Sequence, residues 1–290
     1  MPQQQSLIKG LALLSLSALL FATMGVLIRL ASHSVDNATV VFMRNLTGTL
    51  LLAPFVLAQG KGFLITAKPW MHIWRALVGL AAMYGFFYAI AHLPLSSAMV
   101  FTYSSPVFIP LVAWLFLKEK ITPMMIVAAL IGLIGVGLVA KPDAGMFNWL
   151  SLVGISSSFL AAMAFVTVRA LTKTEPATRI VFYFCLIATL VSAIPMFWHW
   201  RILTLQELYY LVGAGTLATI SQVSLSKAYA YAPAGKIGPA NYLAIIFAGF
   251  WAWILWDEKP DVLAITGMLL IFLALMLCLP RKKQVDIVVS

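Results

Sequence analysis

Apolar runs of about twenty residues alternate along this chain with short breaks rich in Pro, Gly and charge. Runs of that length match helices that cross a hydrocarbon core of ~30 Å at ~1.5 Å per residue. The breaks divide the chain into ten predicted helices. In the first half they run from about Leu7 to Ala31, Asn37 to Leu57, Trp70 to His92, Pro94 to Leu117 and Pro123 to Ala140. In the second they run from about Asn148 to Ala170, Ala177 to Trp198, Glu207 to Tyr231, Ala234 to Trp256 and Val262 to Leu279. The linkers after helices 3 and 8 are nearly absent, which predicts tight antiparallel hairpins, and no loop is long enough to fold as a soluble domain. MPQQQSLIKG leads into an apolar run with no evident cleavage site, so a first span is expected and not a removed signal peptide.

The pattern repeats itself. The stretch from Tyr88 to Val139 lies on the stretch from Lys227 to Cys278 without a gap. Pro94 meets Pro233, Tyr103 meets Tyr242, Phe108 meets Phe247, Ala113-Trp114 meets Ala252-Trp253, and Glu119-Lys120 meets Glu258-Lys259. The same offset pairs Met24 with Met163 and Ala38-Thr39 with Ala177-Thr178. Residues 1–140 and 141–290 therefore read as two five-helix repeats. Five is odd, so the second repeat enters from the opposite side of the membrane, and the repeats are inverted. The expected fold class is all-α: a polytopic membrane protein of ten transmembrane helices.

Composition agrees. Of 290 residues 62% are hydrophobic and 10% charged, against roughly 25% charged in a soluble domain; mean hydropathy is +0.99. The net charge of +10 sits in short loops and at helix ends, where it reports topology and lipid headgroups and not nucleic-acid binding. One side collects Lys9, Lys61, Lys68, Lys118, Lys120, Lys173, Arg179, Lys236 and the tail Arg281-Lys282-Lys283; the other holds Arg29, Lys141, Arg201 and Lys259. Both termini are thus expected in the cytoplasm. Cys185 and Cys278, the only cysteines, form no ligand cluster.

No catalytic constellation or cofactor motif emerges. His33, His72, His92 and His199 fall at predicted helix ends, as interface residues do. Gly132, Gly135 and Gly137 have helix-packing spacing. Arg29 and Arg75 lie close enough to helix ends to snorkel, whereas Arg44 lies ~10 Å inside helix 2 and either faces the bundle interior or reaches for headgroups. Glu119 and Glu258 end equivalent helices beside Lys, as gate or proton-coupling groups or as exposed boundary pairs of little energy. No carboxylate falls in the middle of a span. Polar and aromatic groups at mid-depth suit a cavity wall beside Pro-loosened turns, or interhelical hydrogen bonds: Thr102, Tyr103, Ser104, Ser105 and Pro106, Pro239, Asn241 and Tyr242, Ser221, Gln222 and Ser224, Tyr84 and Tyr88. The candidate solute-binding residues are Thr102, Tyr103, Asn241, Tyr242, Arg44, Tyr84, Tyr88 and Gln222.

The two five-helix halves, the Arg75-Ala-Leu opening of helix 3, the Ala-x-x-x-Leu-Pro-Leu-Ser-Ser-Ala turn from Ala89 to Ala98, Pro106, and the Lys-Glu and Asp-Glu pairs ending helices 4 and 9 resemble the drug/metabolite transporter superfamily in its EamA-type branch. The resemblance covers nearly the whole chain. It implies secondary transport of small organic molecules by alternating access, in either direction, with helices 5 and 10 at the periphery. The stretch PWMHIWRAL around Trp70 to Arg75 also resembles members that take up S-adenosylmethionine.

The expected function is secondary transport of a small metabolite across the inner membrane, for instance an amino acid or its derivative, with the solute and the bilayer as partners and no cofactor. Neutral polar and aromatic walls, with positive potential from Arg44, Arg75 and Lys236, suit a zwitterionic or amphipathic solute. The alternatives are a non-transporting membrane scaffold and a lipid-acting membrane enzyme, which would need clustered His or carboxylates near one face.

Overall fold

The computed structural model describes residues 6–32, 34–92, 100–101, 103–141 and 151–278. Their secondary structure is helical throughout. The long helices are α1 Leu7–Ala31, α2 Asn37–Ala58, α3 Pro69–His92, α4 Ser105–Leu117, α5 Pro123–Ala140, α6 Ser151–Leu171, α7 Ala177–His199, α8 Leu205–Tyr231, α9 Ala234–Trp256 and α10 Val262–Leu277. Seven of them, α1, α2 and α5 to α9, are long and apolar enough to cross a membrane; α4 and α10 are shorter apolar helices. The predicted start of helix 4 at Pro94 and of helix 6 at Asn148 lie outside the described residues, as does the hairpin after helix 3. The other hairpin is tight: two residues separate α8 from α9.

Helix ends follow local chemistry. Asp36 accepts from Thr39 N–H at 3.0 Å and Asp261 from Ala264 N–H at 3.0 Å, satisfying first-turn donors of α2 and α10. Thr204 and Glu207 cap α8 reciprocally. Lys118 (φ 56°) ends α4 and Asp257 (φ 53°) ends α9, two left-handed stops at positions equivalent in the repeat. In α9 the backbone tightens to a 3-10 turn over Gly238–Tyr242, where Pro239 withdraws its N–H from the α pattern. Its repeat counterpart is the break at Tyr103 and Ser104 immediately before α4.

Packing respects the same offset. α1 packs along α8, and their counterparts α6 and α3 pack along each other. α1 meets α9 as α6 meets α4, and α2 meets α8 as α7 meets α3. α2 pairs with its own equivalent α7, and α5 with α10. Small residues permit the closest approaches. A methyl on Gly135 would strike the Gly267 carbonyl, and one on Gly267 the Gly135 carbonyl. Gly132 admits the Tyr242 ring, but Gly137 faces open space and packs against nothing, so only two of the three predicted packing glycines serve that purpose. Ser17 of α1 and Ser221 of α8 share a buried hydrogen bond of 2.9 Å, which makes Ser221 a helix-packing group.

Candidate functional site

α2, α7 and α8 close on a narrow crevice too tight to admit a water molecule. Its lining is Arg44 and Asn45 from α2, Phe184 and Cys185 from α7, and Ala218, Thr219 and Gln222 from α8. From α3, Arg75 reaches the same place and donates from Nη2 to Gln222 Oε1 at 3.0 Å.

Both arginines are buried, Arg44 at 6% and Arg75 at 3% exposure. The expectation that Arg75 snorkels is therefore overturned. Its position about 9 Å from the helix end would allow snorkelling, but the local packing turns it inward. Gly79, one turn on, leaves the space the guanidinium fills; a methyl there would overlap Nη1. The guanidinium carbon stands 4.1 Å from the centre of the Phe184 ring, a cation–π contact strengthened by exclusion from water. Nε and Nη1 of Arg75 have no hydrogen-bond partner among the described residues. Arg44 faces the interior as well, so the headgroup alternative is set aside. Among the described residues its Nη1 finds Asn45 Oδ1 at 3.4 Å and Met83 Sδ at 3.7 Å.

Neither guanidinium has a carboxylate partner among the described residues. Two positive charges thus share a water-poor interior with only neutral dipoles and a ring for company. Such an arrangement costs several kcal/mol per uncompensated ion, and its chemical complement is an anion able to accept from a planar fork.

The predicted site residues separate into two groups. Arg44 and Gln222 meet at the crevice, and Tyr84 packs in the adjoining cluster with Leu80, Phe184 and Cys185, its buried hydroxyl without a partner. Tyr103 and Tyr242 share a different cluster with Val136, Leu243 and Ile271. Tyr242 is fully buried and donates to the Ala129 carbonyl at 2.9 Å. Asn241 donates to Tyr229 Oη at 3.3 Å. Tyr88 is 41% exposed. Thr102 lies outside the described residues.

Two further expectations are corrected. His72 is not an interface residue: it is 1% exposed and its ring lies 4.6 Å from that of Tyr183. Glu119 is not an exposed boundary group: it accepts from Arg169 Nε at 3.0 Å, and Arg169 Nη1 also donates to the Tyr229 carbonyl at 2.7 Å. Sequence reasoning missed Phe184 and Cys185 as crevice residues; Arg75 it counted toward the positive potential of the cavity but not as a group that reaches the crevice. It also missed Asn45, whose polarity beside Arg44 in an apolar run was the available signal.

Residues 8–141 and again 148–279 match the EamA-like transporter family. The chain belongs to that family. It is 33% identical over 278 residues to the pseudopaline exporter CntI of Pseudomonas aeruginosa, covering 95% of this chain and 97% of the relative. It is 27% identical over 252 residues to an S-adenosylmethionine uptake transporter of Rickettsia bellii, covering 87% of this chain and 86% of that one. A crystal structure at 18% identity superposes with a TM-score of 0.79 over 92% of this chain and 95% of its own, which places the fold. This EamA-type chain is a multi-pass membrane transporter of the drug/metabolite class and not an enzyme.

Proposed function

We propose that this EamA-type chain is a secondary transporter of a small amino-acid-derived solute that carries a carboxylate, moved across the inner membrane by alternating access. The observation that carries the reading is the pair Arg44 and Arg75, buried at mid-depth without an acidic partner among the described residues. A solute carboxylate supplies the missing charge there, and α2, α3, α7 and α8 meet around it. Alternation follows from ten spans in two inverted repeats, 1–140 and 141–290, hinged where α4 and α9 are broken. The duplicated family match and the repeat-related packing support that arrangement. Both termini are cytoplasmic in this reading, because the basic loops gather on their side. Tyr103, Tyr242, Asn241 and Thr102 belong in it to the hinge region that bounds the solute path, with Tyr84 and Tyr88 along α3.

The test is counterflow in proteoliposomes with a panel of labelled amino acids, S-adenosylmethionine and their carboxamide analogues. Exchange of at least one carboxylate but not its amide, abolished in both Arg44→Gln and Arg75→Gln, is the expected result. Equal exchange of acid and amide, or full activity in both variants, would remove the basis for the reading.

A further inference from the structure

One side chain tethers the turn between α8 and α9. Arg169, near the end of α6, donates from Nη1 to the Tyr229 carbonyl at 2.7 Å and to the Ala230 carbonyl at 3.4 Å. Both carbonyls lie in the last turn of α8, where the helix ladder leaves acceptors unmet and the dipole favours a cation. The same guanidinium donates from Nε to Glu119, just beyond α4, at 3.0 Å. One buried ion pair therefore joins α4 of the first half to α6 and α8 of the second. Past the tether, Ala232, Ala234 and Ile237 are fully buried. A methyl on Gly10 of α1 would come within 3.0 Å of Ala232 Cβ. Small residues such as Ala232, Ala234 and Gly235 each bury little surface there, which leaves the charge-assisted bonds of Arg169 as the strongest single tie on the turn. The 3-10 stretch Gly238–Tyr242 interrupts α9 directly beyond it, so the turn can move as a piece.

The opposite end of the bundle is held differently. Arg29 of α1 donates to Glu258 at 2.8 Å and lies 4.1 Å from the centre of the Trp256 ring. Among the described residues that pair ties α1 to the end of α9 alone, and both side chains are about half exposed. We propose that Arg169 and Glu119 are the latch that keeps the α8–α9 turn closed on α1 and α4, and that their separation opens this end of the transport path. The inference rests on the alternating-access reading, in which this end is cytoplasmic. The latch is releasable because Glu119 engages it through one oxygen; Oε2 is buried without a partner among the described residues, and a single-point bond is weaker than a two-point fork.

The test uses the full-length protein in detergent with Cys185→Ser and Cys278→Ser, and with Ile237→Cys as the sole thiol on the buried face of the turn. Its rate of modification by a small water-soluble thiol reagent reports lifting of the turn. In Glu119→Gln the expected rate is about fivefold or more above the parent, since Arg169 loses its charged partner; in Glu258→Gln it stays within about twofold. A second protein keeps native Cys185 as its sole thiol, in α7 away from the turn, and its rate should not change in Glu119→Gln. A disulfide between Gly10→Cys and Ala232→Cys pins the turn to α1, and should return the Glu119→Gln rate at Ile237→Cys to that of the parent. Equal acceleration of both reporter thiols means general loosening and overturns the proposal, as does an unchanged rate at Ile237→Cys or equal effects of Glu119→Gln and Glu258→Gln. These rates need no solute. A latch that fails leaves counterflow of the unmodified protein standing, and counterflow that fails leaves the rates standing, so the two readings fall separately.

Discussion

Glu119 accepts a hydrogen bond from Arg169 Nε at 3.0 Å, and the repeat-equivalent Glu258 accepts one from Arg29 Nη2 at 2.8 Å. The arginines end α6 and α1, which are themselves equivalent. The two pairs differ in their surroundings: side-chain exposure is 6% and 16% for Arg169 and Glu119, but 49% and 51% for Arg29 and Glu258. Removing one partner of a buried pair strands the other charge, at a cost of about 3 kcal/mol. An exposed pair is worth less than about 1 kcal/mol. Glu119→Gln should lower the thermal unfolding midpoint in detergent clearly, and Glu258→Gln hardly at all. Equal shifts would mean that the burial difference carries no energetic weight.

The crevice arginines should answer differently to Lys. Arg75 stacks on Phe184 and bonds Gln222 through one arm of a fork, a geometry an ammonium cannot reproduce. Among the described residues Arg44 has only long contacts, to Asn45 and Met83, so charge is its main asset. Counterflow of the transported solute should be partly retained in Arg44→Lys and reduced at least tenfold in Arg75→Lys. Equal activity of the two variants would sink the distinction.

Tyr103 and Tyr242 are equivalent in the repeat but not in their bonding. Tyr242→Phe removes the donor to the buried Ala129 carbonyl, with an expected loss of about 1–3 kcal/mol. Gly132→Ala presses a methyl into the Tyr242 ring and should cost about 1–3 kcal/mol through overpacking. Tyr103→Phe should leave the unfolding midpoint nearly unchanged and alter apparent solute affinity. A large stability loss in Tyr103→Phe would make it a packing residue.

One carboxylate between helices should set part of the acid limit. Burial alone would raise the Glu175 carboxyl, but hydrogen bonds from Thr66 and Arg179 outweigh it and hold the group below its ordinary value of 4.5. A depressed folded-state value gives stability that is present above pH ~4.5 and is lost as pH falls through the folded-state value. Glu175→Gln should therefore narrow the gap between unfolding midpoints at pH 7 and pH 4. An unchanged gap would show that Glu175 contributes nothing to acid sensitivity.

Topology is checked by single cysteines in a background lacking Cys185 and Cys278. At Lys120 labelling is expected from the cytoplasm and at Lys141 from outside, since the two flank α5. External labelling of both would break the ten-span count.

The helices were legible because a bilayer makes length and hydropathy decisive: α1, α5 and the composite α9 carry the bounds their apolar runs predict. The offset between halves also matches the packing, in which contacts of one half have counterparts in the other. Depth counted along a helix left Arg44 open between the interior and the headgroups and gave Arg75 wrongly. Depth says nothing of rotation about the helix axis, and Gly79 and Phe184, which set it, act through packing across helices. Arg169 escaped notice for a similar reason. It reads as a cation at a helix end until Glu119 and the Tyr229 carbonyl are seen to converge on it.

Part of the seam between the halves is like meeting like: α2 on α7, α5 on α10, and Gly135 backbone to Gly267 backbone. A chain severed between Lys141 and Ser151 retains every one of those surfaces. The two fragments are expected to recognise each other as subunits of a heterodimer. Across that seam a substitution in one half has its compensating position in the other, so the two halves of the chain are bound to evolve together.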